Sequence, residues 1–254
     1  MRNEELKKFL SSEEIQEVGG GKKLIDYRKE KGPFSERNLY AYLDYLDLDI
    51  ENLEGQKILD VGPSLEFLRA AKTKNLDVTG VDASVRPNKR EDDKLVYGSG
   101  QFLPFKEGRF DLVLANNSVP LHVPHEDDVS GLLSIYEMLR VAKKEVRIIP
   151  FTPDEVFERE GKIFFGYDFD RERPVGFYGF NLKDLLEKAG INYEIRFMRG
   201  VKPEDFKPKP WLPPGYEKEG GQFVILSKNE KSDLSPILDE IKALIKKQQE
   251  ALKK

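Results

Sequence analysis

The chain has 254 residues and no cysteine, with 35% charged residues and a formal net charge of −4. That length is enough for one sizeable core, and the lack of cysteine excludes disulfides and thiolate chemistry. Interspersed charges of both signs argue against a broad nucleic-acid-binding surface, leaving at most a local contact by the C-terminal lysines. No stretch approaches the ~20 apolar residues of a membrane span. The start, Met1-Arg-Asn-Glu-Glu-Leu-Lys-Lys8, lacks the apolar core of a signal peptide, so a cytoplasmic protein is expected. Abundant Lys and Glu, few Gln and three Met predict a thermophile source, and a high melting temperature would check this.

Residues 1–54 read as a helical N-terminal cap region. Ser11-Ser-Glu-Glu14 is a helix start and Gly19-Gly-Gly21 a break. Ser35 is placed to cap a helix whose Leu39, Tyr42, Leu43 and Leu46 share one face.

From Gly55 the pattern alternates strands and helices. Strands are predicted at Lys57–Val61, Asp77–Val81, Leu95–Tyr97, Asp111–Ala115 and Glu145–Pro150, and helices at Ser64–Lys72 and Val129–Ala142. Such alternation implies a parallel sheet covered on both faces. Lys57-Ile-Leu-Asp-Val-Gly62 ends in a Gly turn, and Val78-Thr-Gly-Val-Asp82 ends in an acid about 20 residues later. A strand, a Gly turn, a helix and a second strand ending in an acid is how a nucleoside-containing cofactor is held. The glycine lets backbone approach the ligand, and the acid accepts hydrogen bonds from ribose hydroxyls.

Beyond Phe151, Phe164-Phe-Gly-Tyr-Asp-Phe-Asp170 and Val175-Gly-Phe-Tyr-Gly-Phe180 form an aromatic insertion at about 152–180, either a hairpin or a pocket wall. Asn181 starts a helix that Gly190 ends. Tyr193–Met198 and Gln222–Ser227 read as two further strands, separated by a Pro-rich loop at 202–216 that holds Trp211, the only Trp. Residues 229–254 read as an amphipathic C-terminal helix from about Pro236, with Ser235 as its cap and Ile237, Ile241, Leu244, Ile245 and Leu252 as its apolar stripe.

Taken together, the Lys57–Gly62 segment, the Val78–Asp82 segment, Leu103-Pro-Phe105 with Phe110-Asp-Leu-Val-Leu-Ala-Asn116, Tyr136-Glu-Met-Leu-Arg-Val141 and Glu145-Val-Arg-Ile-Ile149 resemble, in order, the motifs of class I S-adenosylmethionine-dependent methyltransferases. The resemblance spans about Gly55 to Phe151 and, more loosely, Gly179 to Lys228. It implies an α/β fold for residues 55–228: a doubly wound, mostly parallel, seven-stranded Rossmann-like sheet with helices on both faces and its last strand antiparallel. It also implies S-adenosylmethionine as cofactor and methyl transfer to an unidentified acceptor, with a small molecule expected. By the same resemblance Asp60 and Gly62, with the adjoining Pro63 and Ser64, lie near the methionine part of the cofactor. Asp82, followed by Ala83, lies on the ribose, Ser99, Gly100, Gln101 and Phe102 flank the adenine, and Asn116 sits beside the reacting methyl group. N-terminal helices in this family often cover the cofactor, which makes Tyr27, Phe34, Tyr40 and Tyr42 candidates for that cover, against a plain role in packing.

The chain departs from the family pattern in three places. Pro63-Ser64-Leu65-Glu66 replaces the second and third glycines, Ser99 replaces an acid, and Lys143-Lys144 replaces a glycine pair. These departures motivate an alternative, a non-catalytic binding or interaction protein of the same fold. A nicotinamide-dependent oxidoreductase is opposed by the missing Gly-x-Gly-x-x-Gly. The two histidines, His122 and His125, follow the fourth strand. They are weighed as a general base against polar loop residues, and no metal site is expected from them. No catalytic residue is assigned, and the oligomeric state is open.

Overall fold

The computed structural model describes residues 39–83, 94–116, 118–119, 128–149, 164–168, 173–176, 181–197 and 222–252. The readings at Ser11–Glu14, Gly19–Gly21, Tyr27, Phe34, Ser35, His122, His125 and the loop at 202–216 fall outside them. The described residues all lie within one compact unit, 37–254.

Nine strands are described. They are β1 (Lys57–Val61), β2 (Asp77–Asp82), β3 (Leu95–Tyr97), β4 (Phe110–Asn116), β5 (Ala142–Ile149), β6 (Phe164–Asp168), β7 (Arg173–Gly176), β8 (Asn192–Phe197) and β9 (Gln222–Ser227). The helices are α1 (Leu39–Tyr45), α2 (Ile50–Leu53), α3 (Leu65–Thr73), α4 (Asp128–Val141), α5 (Leu182–Lys188) and α6 (Ser235–Leu252). The main sheet has seven strands in the order β3-β2-β1-β4-β5-β9-β8. Strands β1 to β5 pair in parallel, while β9 runs antiparallel to both β5 and β8. The last strand in the chain is therefore the reversed one, as the resemblance implies, and it lies inside the sheet rather than at its edge. Of the aromatic insertion, Phe164–Asp168 and Arg173–Gly176 pair antiparallel as β6 and β7, and the rest lies outside the described residues.

Strand alternation divides the core into two layers. Ile58, Leu112, Leu114, Phe223 and Ile225 join one buried cluster with Leu39, Tyr42, Leu43 and Leu46 of the α1 region and Phe67, Leu68 and Ala71 of α3. Leu59, Val113, Val146, Ile148, Val224 and Leu226 are buried facing the other way. On that side α4 packs on β4 and β5, and α6 packs on α4 and α5. Helices thus cover both faces, which is why the central strands are apolar nearly throughout.

Local sequence explains where the elements begin and end. Ser64 is the N-cap of α3, its Oγ accepting the Phe67 N–H at 3.0 Å. Asn181 caps α5 in the same way, accepting the Asp184 N–H at 3.0 Å, and Gly190 follows it at φ +65, the left-handed turn that ends helices. Substituting Asn181 with Ala is expected to cost about 1 kcal/mol, measured by urea unfolding.

Some boundaries differ from the sequence reading. β5 begins at Ala142, three residues earlier than expected, because Phe110 of β4 already pairs with Ala142 across a bulge. Ser235 lies inside α6 rather than capping it. The carboxylate of Asp233 accepts both the backbone N–H and the hydroxyl of Ser235, at 3.0 and 2.8 Å. Those two bonds hold the Asp233 pKa below its usual value.

Candidate active site

In an open parallel sheet, ligands bind beyond the carboxyl ends of the strands where strand order reverses. Here the order reverses between β1 and β4. The carboxyl ends of β1, β2, β3 and β4 therefore meet at one rim, and that rim carries the residues singled out by sequence.

The β1 turn is bent as a glycine turn must be. Gly62 has φ +71, and its N–H donates to the Val81 carbonyl at 2.8 Å, which ties the turn to β2 one residue before Asp82. Asp82 and Ala83 are half-buried at the end of β2. The Asp82 carbonyl in turn accepts the Gly98 N–H at 3.3 Å. Gly turn, acid and β3 loop are thus consecutive along one edge.

Pro63 does not stand over the crevice. A Cβ on Gly80 would come within 2.7 Å of Pro63 Cγ, so the proline ring lies against the β2 backbone. The missing N–H of Pro63 is then lost in a packed position, and Ser64 serves α3.

The β3 loop is a closed turn. The Phe102 N–H donates to the Ser99 carbonyl at 3.0 Å, and the Ser99 hydroxyl lies 3.3 Å from both the Gln101 N–H and Gln101 Oε1. Gly100 is buried. Phe102 stands 45% exposed, one of two exposed large apolar side chains among the described residues, the other being Tyr97 of β3.

Asp60 and Asn116 are fully buried. They lie on the same face of adjacent strands, since Asp60 pairs with Leu114. Just beyond Asn116, the Ser118 hydroxyl donates to the Val61 carbonyl. A Cβ on Gly62 would meet Ser118 Cβ at 2.5 Å, and one on Gly100 would meet Val119 Cγ1 at 2.7 Å. Residues 118–119 therefore bridge the β1 turn and the β3 loop.

Two residues bonded to the segment that leaves the β3 loop escaped sequence reasoning as individuals, Glu137 and Arg140 of α4. Both are buried and form an ion pair at 2.5 Å. Burial opposes the charge on Arg140, but the hydrogen bond and field of Glu137 outweigh it and hold its pKa above the usual value. Glu137 also accepts the Leu103 N–H at 2.8 Å. Arg140 donates to the carbonyls of Leu103 at 3.0 Å and Phe105 at 2.8 Å. A buried acid and base at i, i+3 inside an otherwise apolar helix was the available signal.

Tyr42, a candidate for cofactor cover, is a core residue instead. It is fully buried and its ring stacks on Phe67 with centroids 3.9 Å apart.

No known protein-family profile matches the chain, and no curated protein sequence matches it. Solved structures do resemble it. One is a methyltransferase of Thermotoga maritima, described as a possible histamine N-methyltransferase, with 20% identity over 74% of this chain and 89% of that one, at a TM-score of 0.41. Another is the 1,6-didemethyltoxoflavin N1-methyltransferase of Burkholderia thailandensis, with 15% identity over 72% and 76% of the two chains, at 0.42. A third is the magnesium protoporphyrin IX methyltransferase of Synechocystis, with 12% identity over 70% and 73%, at 0.41. Likeness this distant says nothing about activity. The strand order carries the fold. Among the described residues, no helix is long and apolar enough to cross a membrane.

Proposed function

We propose that the chain is an S-adenosylmethionine-dependent methyltransferase acting on a small-molecule acceptor. The observation that carries this reading is the rim itself, where a positive-φ glycine, an accessible acid and a closed polar turn lie side by side at the switch point of the sheet. The donor set fits the cofactor. In this reading Asp82 accepts from ribose hydroxyls, the turn at Ser99–Phe102 flanks the adenine, and Asp60, Gly62, Pro63 and Ser64 border the methionine end. Ala83 adjoins the ribose acid, and Asn116 borders the reaction side. When bound, the cofactor supplies a methyl group already activated on a sulfonium. The chain's own part is then to position the acceptor and exclude water.

Isothermal titration of S-adenosylhomocysteine into the purified protein tests this. Micromolar binding is expected, weakened roughly 10- to 100-fold by Asp82→Ala, since hydrogen bonds to a charged group contribute about 1.5–3 kcal/mol. Absence of binding by the unaltered protein would overturn the reading.

One observation favours the second reading, a binding module that holds no cofactor. The approaches to Gly62 and Gly100 are covered by Ser118 and Val119 of the same chain. A stable protein partner recovered in pull-downs, with no cofactor binding, would support it.

A further inference from the structure

We infer that Glu137 and Arg140 set the base selectivity of the nucleoside pocket by fixing the exit of the β3 loop. This rests on the proposed cofactor reading, in which Ser99–Phe102 flank the base.

The loop enters at Gly98, whose N–H is held by the Asp82 carbonyl, and closes on itself through the Phe102 N–H and Ser99 carbonyl. Its entrance and its closure are backbone bonds that many sequences would make. Its exit is different. The N–H of Leu103 and the carbonyls of Leu103 and Phe105 all go to one buried ion pair on α4. Every residue of α4 from Val129 to Val141 is buried, and the helix is packed between the sheet and α6. The loop is thus fastened to a helix buried along its length.

The fastening also has a direction. Glu137 holds the Phe102–Leu103 peptide by its N–H and Arg140 holds the Leu103–Pro104 peptide by its carbonyl, so neither plane can flip without breaking a charge-assisted bond. Gly98 adds a steric stop, since a Cβ there would lie 3.0 Å from Pro104 Cδ.

Reading a base edge depends on the placement of hydrogen-bonding groups to a few tenths of an ångström. A site built this way rejects a base whose donor and acceptor are exchanged, because buried groups are then left unpaired. Adenine and hypoxanthine differ in that respect at their six-position. Glu137 and Arg140 touch neither ligand. They are positioning residues, and their contribution lies in discrimination.

The test is the ratio of affinities for S-adenosylhomocysteine and S-inosylhomocysteine, measured by titration calorimetry. The ratio is compared among the unaltered protein, Glu137→Gln and Arg140→Lys. It does not depend on the fraction of folded protein, so loss of stability alone leaves it unmoved. Asn181→Ala, destabilised at the N-cap of α5, serves as the control and should keep the ratio of the unaltered protein. Pro104→Gly frees the same exit without uncovering a charge, so it decides the matter should the ion-pair variants not fold.

The expected result is a preference for the adenine ligand that falls about fivefold or more in each exit variant. An unchanged ratio in the folded variants, with the unaltered protein binding normally, would overturn the inference and leave the cofactor reading intact. No binding of either ligand by the unaltered protein would overturn both.

Discussion

Glu137→Ala is expected to destabilise the protein by about 3–5 kcal/mol, because it strands the Arg140 guanidinium in the interior. For a chain of this size that lowers the melting temperature by roughly 6–20 °C, readable by calorimetry. The size of the effect follows from what the carboxylate does. Its oxygens bind the guanidinium at 2.5 and 2.8 Å and also accept the Leu103 N–H. Glu137→Gln should cost less, since an amide oxygen still accepts that N–H. Buried ion pairs often yield without loss to apolar pairs of similar volume. This pair should not, because Glu137→Leu with Arg140→Met leaves the Leu103 N–H and the Phe105 carbonyl without these partners, at about 1–3 kcal/mol for each buried group, while the Leu103 carbonyl keeps the Phe105 N–H. A double variant as stable as the unaltered protein would refute this account.

Gly62→Ala is expected to cost about 2–5 kcal/mol, the sum of two strains. The left-handed backbone at φ +71 disfavours any Cβ by about 1–2 kcal/mol. The new methyl would lie 2.5 Å from Ser118 Cβ, and overpacking of this kind costs about 1–3 kcal/mol. Ser118 cannot swing aside freely, since its hydroxyl is bonded to the Val61 carbonyl. Denaturant unfolding should show a lower midpoint at an unchanged slope. Adding Ser118→Gly should recover the steric part and leave the backbone part. If Gly62→Ala proves neutral, neither the backbone conformation nor the close approach holds in solution.

The sheet was legible in the sequence because strands buried on both faces are written as apolar runs. Lys57–Val61 and Leu95–Tyr97 are found at their expected limits. The boundary at β5 was missed because Lys143 and Lys144 stand where the resembled family has a glycine pair before its strand, while Ala142 already pairs with Phe110 and the two exposed lysines occupy the bulge between that pair and Leu112–Glu145. Periodicity correctly grouped Leu39, Tyr42, Leu43 and Leu46, but it could not say whether Tyr42 faces a ligand or a phenylalanine. That depends on where α3 lies, a contact between elements. The same limit hid the link between Leu103-Pro-Phe105 and the Glu137–Arg140 pair. Both segments were conspicuous, yet the bonds that join them span more than thirty residues and leave no local pattern.

The position of β9 has a consequence for synthesis of the chain. β5 finds its second neighbour only in Gln222–Ser227. Some 70 residues follow β5 before that partner emerges, several seconds of translation at about 5–20 residues per second. During that interval the nascent sheet ends in an open edge with Val146, Ile148 and Ile149 along it. Such an edge invites pairing with other chains. Chains truncated before Gln222 and freed from the ribosome should therefore be a preferred target for chaperones, and chains that include β9 should not.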